Sequence, residues 1–235
     1  FSEMMIGRRG KSSPVGSLAA VAKEARASPL WKGVGMFAVT TGFLILTYYI
    51  VVSGWAFIYI PIAATGTFVG SSPEAIHAIF IGIQDDPVRL ACWSAVGIFA
   101  TVFIVSQGIE KGLEKASFVL MPGLFIILVL MLIYTMTTGH FGAGFAYMFN
   151  PDFSKLTVQG ILIAMGQAFF SVSIGSGATL VYGSYMPQDI HIGKTALWVA
   201  GMDTLVAILA GLCIFPLVIA YNLEAGSGPG LIFET

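Results

Sequence analysis

Gly166-Gln-Ala-Phe-Phe-Ser-Val-Ser-Ile-Gly-Ser-Gly177 interrupts an otherwise apolar segment, Val158–Tyr185, that is long enough to cross a bilayer. Three glycines and three serines fall within these twelve residues. A helix in lipid cannot leave backbone N–H and C=O groups unpaired, so a break at membrane depth is tolerated only where protein, ligand or water takes those groups. The pattern therefore predicts a broken helix near residues 171–177 with a binding site at the break.

The surrounding composition supports a bilayer setting. Of 235 residues, 57% are hydrophobic and 10% charged, with a mean hydropathy of +0.88; soluble domains carry about 25% charged residues. Apolar runs of about 20 residues recur at Gly33–Ile62, Leu90–Ser106, Ala116–Thr138, Val158–Tyr185 and Ile192–Tyr221, and the tail of another ends near Gly7. No soluble linker divides them, so one all-α integral membrane domain over residues 1–235 is expected. The chain opens inside an apolar segment and stops at a Gly-Pro-Gly turn, which reads as an interior fragment of a larger protein.

Positive charge is concentrated in alternate connections. Arg8, Arg9, Lys11, Lys23, Arg26 and Lys32 share the first, Lys111 and Lys115 lie two connections on, and Lys194 two further. The others hold only Arg89 and Lys155, beside Glu74, Asp85, Asp86 and Asp152. The positive-inside rule then puts residues 8–32 in the cytoplasm of a multi-pass cell-membrane protein. Ser13–Ala27 reads either as a short interfacial helix or as a solvated linker. Pro73–Gln84 reads as a short outer helix, and Phe141–Phe149 as an aromatic segment at the headgroups.

Ionisable residues within spans are functional candidates by default. Asp203 lies about twelve residues into the last span, ~18 Å deep at 1.5 Å per residue, with no Lys or Arg in its helix to pair with it. It is either a neutral hydrogen-bonded acid or the partner of a bound cation or proton. Glu3, one turn before Gly7-Arg8, sits either at the headgroup boundary or under a broken neighbour whose backbone N–H groups it accepts. One of Tyr48 and Tyr49 faces a cavity, because a buried tyrosine hydroxyl needs a partner. Tyr49, Ser171–Gly177 and Asp203 fall at one depth on three different spans, which favours a shared midplane site. Unwound carbonyls and hydroxyls there suit a hard cation such as sodium, and the start of the second half-helix suits a carboxylate.

Other chemistry is not encoded. Cys92 and Cys213 lie in apolar runs and read as small core residues. His77, His140 and His191 lack metal-ligand spacing, Gly175-Ser-Gly177 follows no strand, and no nucleophile–base set or basic nucleic-acid patch is present. Neither an enzyme, nor a nucleic-acid partner, nor an organic cofactor is expected. A channel would need a polar stripe along several spans, and a non-transporting scaffold would not need the midplane break.

These residues also carry a family resemblance that covers the chain in order. The matching stretches are Glu3-Met-Met-Ile-Gly7-Arg8, Tyr48-Tyr49 with Trp55, Gly108-Ile-Glu-Lys-Gly-Leu-Glu-Lys115 with Met121-Pro122, and Asn150-Pro-Asp-Phe153. Gly166–Gly177, Asp203-Thr-Leu-Val-Ala-Ile-Leu-Ala-Gly211 and Gly228-Pro-Gly230 complete the set. Together they resemble the neurotransmitter:sodium symporters, in particular the bacterial branch of sodium-dependent amino-acid transporters. The resemblance implies part of an inverted-repeat helical bundle of the LeuT type, running from the end of the second helix through the seventh into the fourth extracellular loop. The first and eighth helices, which complete the sites, lie outside it. It implies sodium-coupled import of amino acids by alternating access; a related sodium-coupled transporter of another small organic solute is the alternative.

By the same resemblance Tyr49, Phe170, Ser173 and Ile45 line the substrate pocket, with the Tyr49 hydroxyl on the substrate carboxylate and Phe170 as a lid. Ser171 and Asp203 ligate sodium, and Glu3 supports the break, with Gln167, Gly175 and Gly177 around it. Asp203 stands where many members have a sodium-binding asparagine. Ala207 stands where chloride-dependent animal members have a serine, so that chloride independence is expected although Gln167 and Ser171 are both present. Ser176 replaces a bulky phenylalanine of the LeuT type, which widens the pocket toward aromatic or large aliphatic substrates.

Overall fold

The computed structural model describes residues 1–221, 223 and 230–234. Gly228 and Pro229 of the last motif lie outside the described residues, and Gly230 lies within them. The described residues form helices α1 (Ser2–Gly10), α2 (Pro14–Glu24), α3 (Trp31–Ala64), α4 (Pro73–Gln84), α5 (Pro87–Ser106), α6 (Lys115–Thr137), α7 (Phe141–Phe149), α8 (Val158–Ser171), α9 (Ala178–Tyr185), α10 (Ile192–Ala220) and α11 (Leu231–Glu234). A π-helical turn, Ile109–Glu114, leads into α6, and a short 3-10 turn, Phe153–Lys155, precedes α8. Among the described residues four helical segments are long and apolar enough to cross a membrane: α3, α5, Lys111–Thr137 and α10.

Helix starts follow from local chemistry. Ser13, Ser72, Asp86 and Thr157 each accept a backbone N–H from the first turn of the helix they precede, at 3.2, 3.3, 3.0 and 3.0 Å. Pro14, Pro73 and Pro87 occupy the adjoining position, where the missing N–H costs nothing. The Asp86 cap explains why α5 begins three residues before the apolar run at Leu90. The first helix continues past Gly7 to Gly10 and stops at Lys11, which is in the left-handed region at φ 46°.

The chain divides into two compact units, with boundaries inside α3, between Pro151 and Asp152, and inside α10. The first comprises Phe1–Thr47 and Asp152–Leu205. Here α1 crosses α9 at backbone contact distance. A Cβ on Gly7 would lie 2.0 Å from the Leu180 carbonyl oxygen, and one on Gly183 would lie 2.5 Å from the Met4 carbonyl oxygen. Cations close the same end: Arg8 donates to the Ile190 carbonyl at 2.7 Å and Lys11 to the Met186 carbonyl at 3.0 Å. The stretch read as interfacial helix or linker is α2, and it buries Pro14, Ser17, Leu18 and Ala22.

Arg9 and Glu24 form a two-pronged ion pair on the exposed side of α1 and α2. The guanidinium hydrogen bond holds the Glu24 carboxyl below its ordinary value of 4.5. A depressed acid stabilises above its ordinary value and loses that contribution as pH falls through the lowered one. Glu24→Gln is therefore expected to loosen α2 at pH 7 and to match the parent once the pH lies well below 4.5. Hydrogen exchange across residues 14–24 measures this.

The second unit comprises Tyr48–Pro151 and Val206–Thr235. Phe233 of α11 stacks on Phe80 of α4 with ring centroids 5.7 Å apart, Trp55 meets Phe80 edge-on at 5.3 Å, and the Tyr59 hydroxyl donates to the Phe233 carbonyl at 2.9 Å. Gly144 of α7 fits against Pro216 of α10, where a Cβ would lie 2.5 Å from the proline ring. Both cysteines are free: Cys213 is buried as expected, but Cys92 is exposed on α5 rather than in a core. Exposed apolar side chains such as Phe37, Phe99, Phe118 and Leu197 coat the long helices, a surface suited to lipid rather than water.

Candidate functional site

The interruption between α8 and α9 spans Val172–Gly177, within the stretch that the sequence marks. Its backbone uses the left-handed region three times: Ser173 at φ 57°, Gly175 at 84° and Gly177 at 77°. Glycine takes this region freely, whereas Ser173 does so at a cost of about 1 kcal/mol or more. The first turn beyond α8 is closed locally, with the Ser173 and Ile174 N–H groups on the Phe170 and Phe169 carbonyls at 3.0 and 2.9 Å. Further on, the Ser176 hydroxyl donates to the Ser173 carbonyl at 2.9 Å.

Two carboxylates meet the interruption. Glu3 accepts the Gly175 backbone N–H on Oε1 at 2.8 Å and the Thr179 hydroxyl on Oε2. Of the two positions open to Glu3, the structure has it accepting from the broken backbone. Asp203, half-buried on α10, accepts the Ser171 hydroxyl on Oδ2. An acid and a hydroxyl from residues 32 positions apart in sequence thus converge at the end of α8. Among the described residues no Lys or Arg pairs with either acid, and no group of three His, Cys, Asp or Glu side chains forms a transition-metal site.

Helix α3 lies along the other side. A Cβ on Gly42 would sit 2.9 Å from the Ser176 carbonyl oxygen, and one on Gly177 would sit 3.2 Å from Pro14 and 3.4 Å from Ala38. Ile45 is three residues past Gly42, hence on the face that meets the interruption, and is half-buried. Phe170 is exposed near the end of α8 and Gln167 is exposed one turn earlier. Tyr49 belongs to the second unit, where its ring meets Tyr48 edge-on with centroids 5.6 Å apart. Ala207 also lies in the second unit. The first unit thus brings together Glu3 with Gly175, Ser171 with Asp203, and Gly42 with Ser176.

Sequence reasoning missed Thr179, whose hydroxyl completes the Glu3 contact, and the close α1–α9 crossing at Gly7 and Gly183. The only available signals were a threonine just past the glycines and small residues on both helices. Neither says which helix is the neighbour.

A family model described as the Sodium:neurotransmitter symporter family matches residues 74–232. The chain is 35% identical over 231 residues to YhdH, an uncharacterized sodium-dependent transporter of Bacillus subtilis, covering 98% of this chain and 50% of that protein. It is 30% identical over 239 residues to an uncharacterized sodium-dependent transporter of Haemophilus influenzae, covering 99% and 52%. Sodium-dependent nutrient amino acid transporter 1 of Drosophila melanogaster is 29% identical over 163 residues, 65% of this chain and 25% of that protein. The chain spans about half the length of the bacterial relatives it matches.

Proposed function

This chain belongs to the sodium:neurotransmitter symporter family, and from that premise we propose that the full-length protein imports amino acids by coupling their entry to sodium through alternating access. Family membership and four membrane-length apolar helices make it a multi-pass membrane protein. In our reading it resides in the cell membrane, with residues 8–32 on the cytoplasmic side.

The observation that carries the proposal is the Ser171–Asp203 contact at the interrupted helix. A hydroxyl and a carboxylate oxygen are the hard donors that a sodium ion takes. When sodium enters, the hydroxyl proton turns away and both oxygens face the ion. Asp203 supplies the compensating negative charge itself, and Ala207 offers no hydroxyl to an anion, so transport proceeds without chloride. By the family resemblance, the Tyr49 hydroxyl takes the substrate carboxylate. Phe170, Ser173, Ile45 and Ser176 shape the space for its side chain. The amino-acid class draws support from the name of the Drosophila relative.

Uptake by the full-length protein in proteoliposomes tests this reading. Replacing sodium by choline is expected to abolish uptake of hydrophobic or aromatic amino acids, and replacing chloride by gluconate to leave it intact. Sodium-independent uptake would overturn the coupling, and loss in gluconate the chloride independence. Thermal shifts with amino acids set against other small organic solutes separate the proposed substrate class from its alternative. Ser176→Phe, by filling the pocket, is expected to shift preference from aromatic toward small aliphatic amino acids by about tenfold, since one misfitting group in an apolar pocket costs about 1–3 kcal/mol. Competition uptake reads that ratio.

A further inference from the structure

Most hydroxyls on the long helices serve their own helix. Thr40, Thr101, Thr195 and Thr204 donate to the carbonyl four residues back, and Thr47 and Ser53 to the one three back. Among the described residues two Ser or Thr hydroxyls instead reach a carboxylate on another helix, and they bracket the interruption. Ser171, the last residue of α8, reaches Asp203, while Thr179, the second residue of α9, reaches Glu3, 176 positions away. Thr179 has no helical carbonyl behind it, because α9 begins only at Ala178. Its hydroxyl is therefore free to act across the chain.

We propose that Thr179 is a positioning residue for the sodium-linked break: by holding Glu3 Oε2, it fixes the carboxylate so that Oε1 stays on the Gly175 N–H. A glutamate side chain has three rotatable bonds, and one hydrogen bond leaves it able to swing. Two bonds from opposite sides of the α9 start, at Gly175 and at Thr179, leave it one orientation. The surroundings strengthen the effect. Glu3 and Thr179 line a cavity of about 340 Å³ whose other walls include Val172, Ile174, Ala196 and Val199. Besides Thr179, Ser2 is the one hydroxyl-bearing residue that lines this cavity and most of its walls are apolar, so few donors are at hand to replace the lost hydroxyl. Gly175 lies four residues past Ser171, so an unanchored Gly175 lets the end of α8 drift from Asp203. Glu3 would then hold the α9 side of the break constant while the Ser171–Asp203 side opens to the ion.

The sodium arm of the test rests on the function proposed above; the exchange arm does not. In the full-length protein, Thr179→Val keeps the volume and removes the hydroxyl, and Thr179→Ser keeps the hydroxyl. Thr179→Val is expected to speed hydrogen exchange across residues 172–177. It is also expected to raise the sodium concentration for half-maximal uptake by roughly tenfold, the scale of one hydrogen bond to a charged group. Thr179→Ser is expected to restore both readouts. In a Glu3→Gln background the effect of Thr179→Val should shrink to a factor of about two or less, because the partner whose orientation it sets has changed. Thr179→Ala serves as a second variant should valine disturb packing. Unchanged exchange in both Thr179→Val and Thr179→Ala overturns the positioning role whatever transport does, as does an undiminished effect of valine with Glu3 replaced. Sodium-independent uptake by the parent overturns the proposed function and leaves the exchange result standing.

Discussion

Replacing Asp203 with alanine in the full-length protein is expected to abolish sodium-driven uptake while leaving the protein folded. Asp203 is half-buried on α10, and its one hydrogen bond among the described residues comes from the Ser171 hydroxyl. Its contribution to folding is therefore small, because Ser171 can turn its hydroxyl to its own helix, as Thr204 and Thr101 do. Its contribution to binding a cation is large. Removing one partner of a desolvated charge pair costs about 3–5 kcal/mol, which at about 1.4 kcal/mol per tenfold weakens sodium binding by at least two orders of magnitude. Asp203→Asn keeps an oxygen on the ion and the hydrogen bond from Ser171 but loses the charge, so an intermediate loss is expected. Sodium titrations of uptake, with melting temperature as the folding control, give both values. Alanine at Asp203 with parental sodium dependence would sink the assignment.

Gly7→Ala is expected to do the opposite: it touches no ligand yet prevents assembly of the break. Its Cβ would lie 2.0 Å from the Leu180 carbonyl oxygen and 2.9 Å from the carbonyl carbon. These are backbone atoms that no rotamer change can move, so α1 and α9 must separate by more than 1 Å. Overpacking costs about 1–3 kcal/mol where side chains can adjust, and rigid backbone puts this site at the upper end or beyond. The separation also carries Glu3, one turn earlier on α1, away from Thr179 and Gly175. Gly7→Ala should lower the melting temperature of the solubilised full-length protein and speed exchange at residues 172–177, and Gly7→Leu should yield no folded protein. Gly183→Ala, with its Cβ 2.5 Å from the Met4 carbonyl oxygen, is expected to follow the same pattern more mildly. A parental melting temperature for Gly7→Ala would show that the crossing is looser than described.

Both substitutions concern contacts that the sequence reveals unequally. The apolar runs became helices close to their expected bounds, because length and hydropathy decide a membrane span without reference to any neighbour. Pro73–Gln84 matches residue for residue, since Ser72 and Pro73 mark its start. The interruption was legible because glycine and serine at membrane depth have no other economical explanation. Asp203 and Glu3 were legible as costly groups, although their partners were not.

Sequence alone determined that this chain crosses membranes, where its helix breaks, and that Asp203 and Glu3 need partners at that depth. All of these follow from local solvation: a carboxylate or an unpaired backbone group in lipid is penalised wherever the rest of the chain goes. Only the tertiary structure decided that Glu3 takes Gly175 and Thr179, that Asp203 takes Ser171, and that Gly7 and Gly183 seat α1 on α9. Those pairings join residues up to 176 positions apart. They depend on which helix lies beside which, and a hydropathy pattern that looks alike on every span cannot express it.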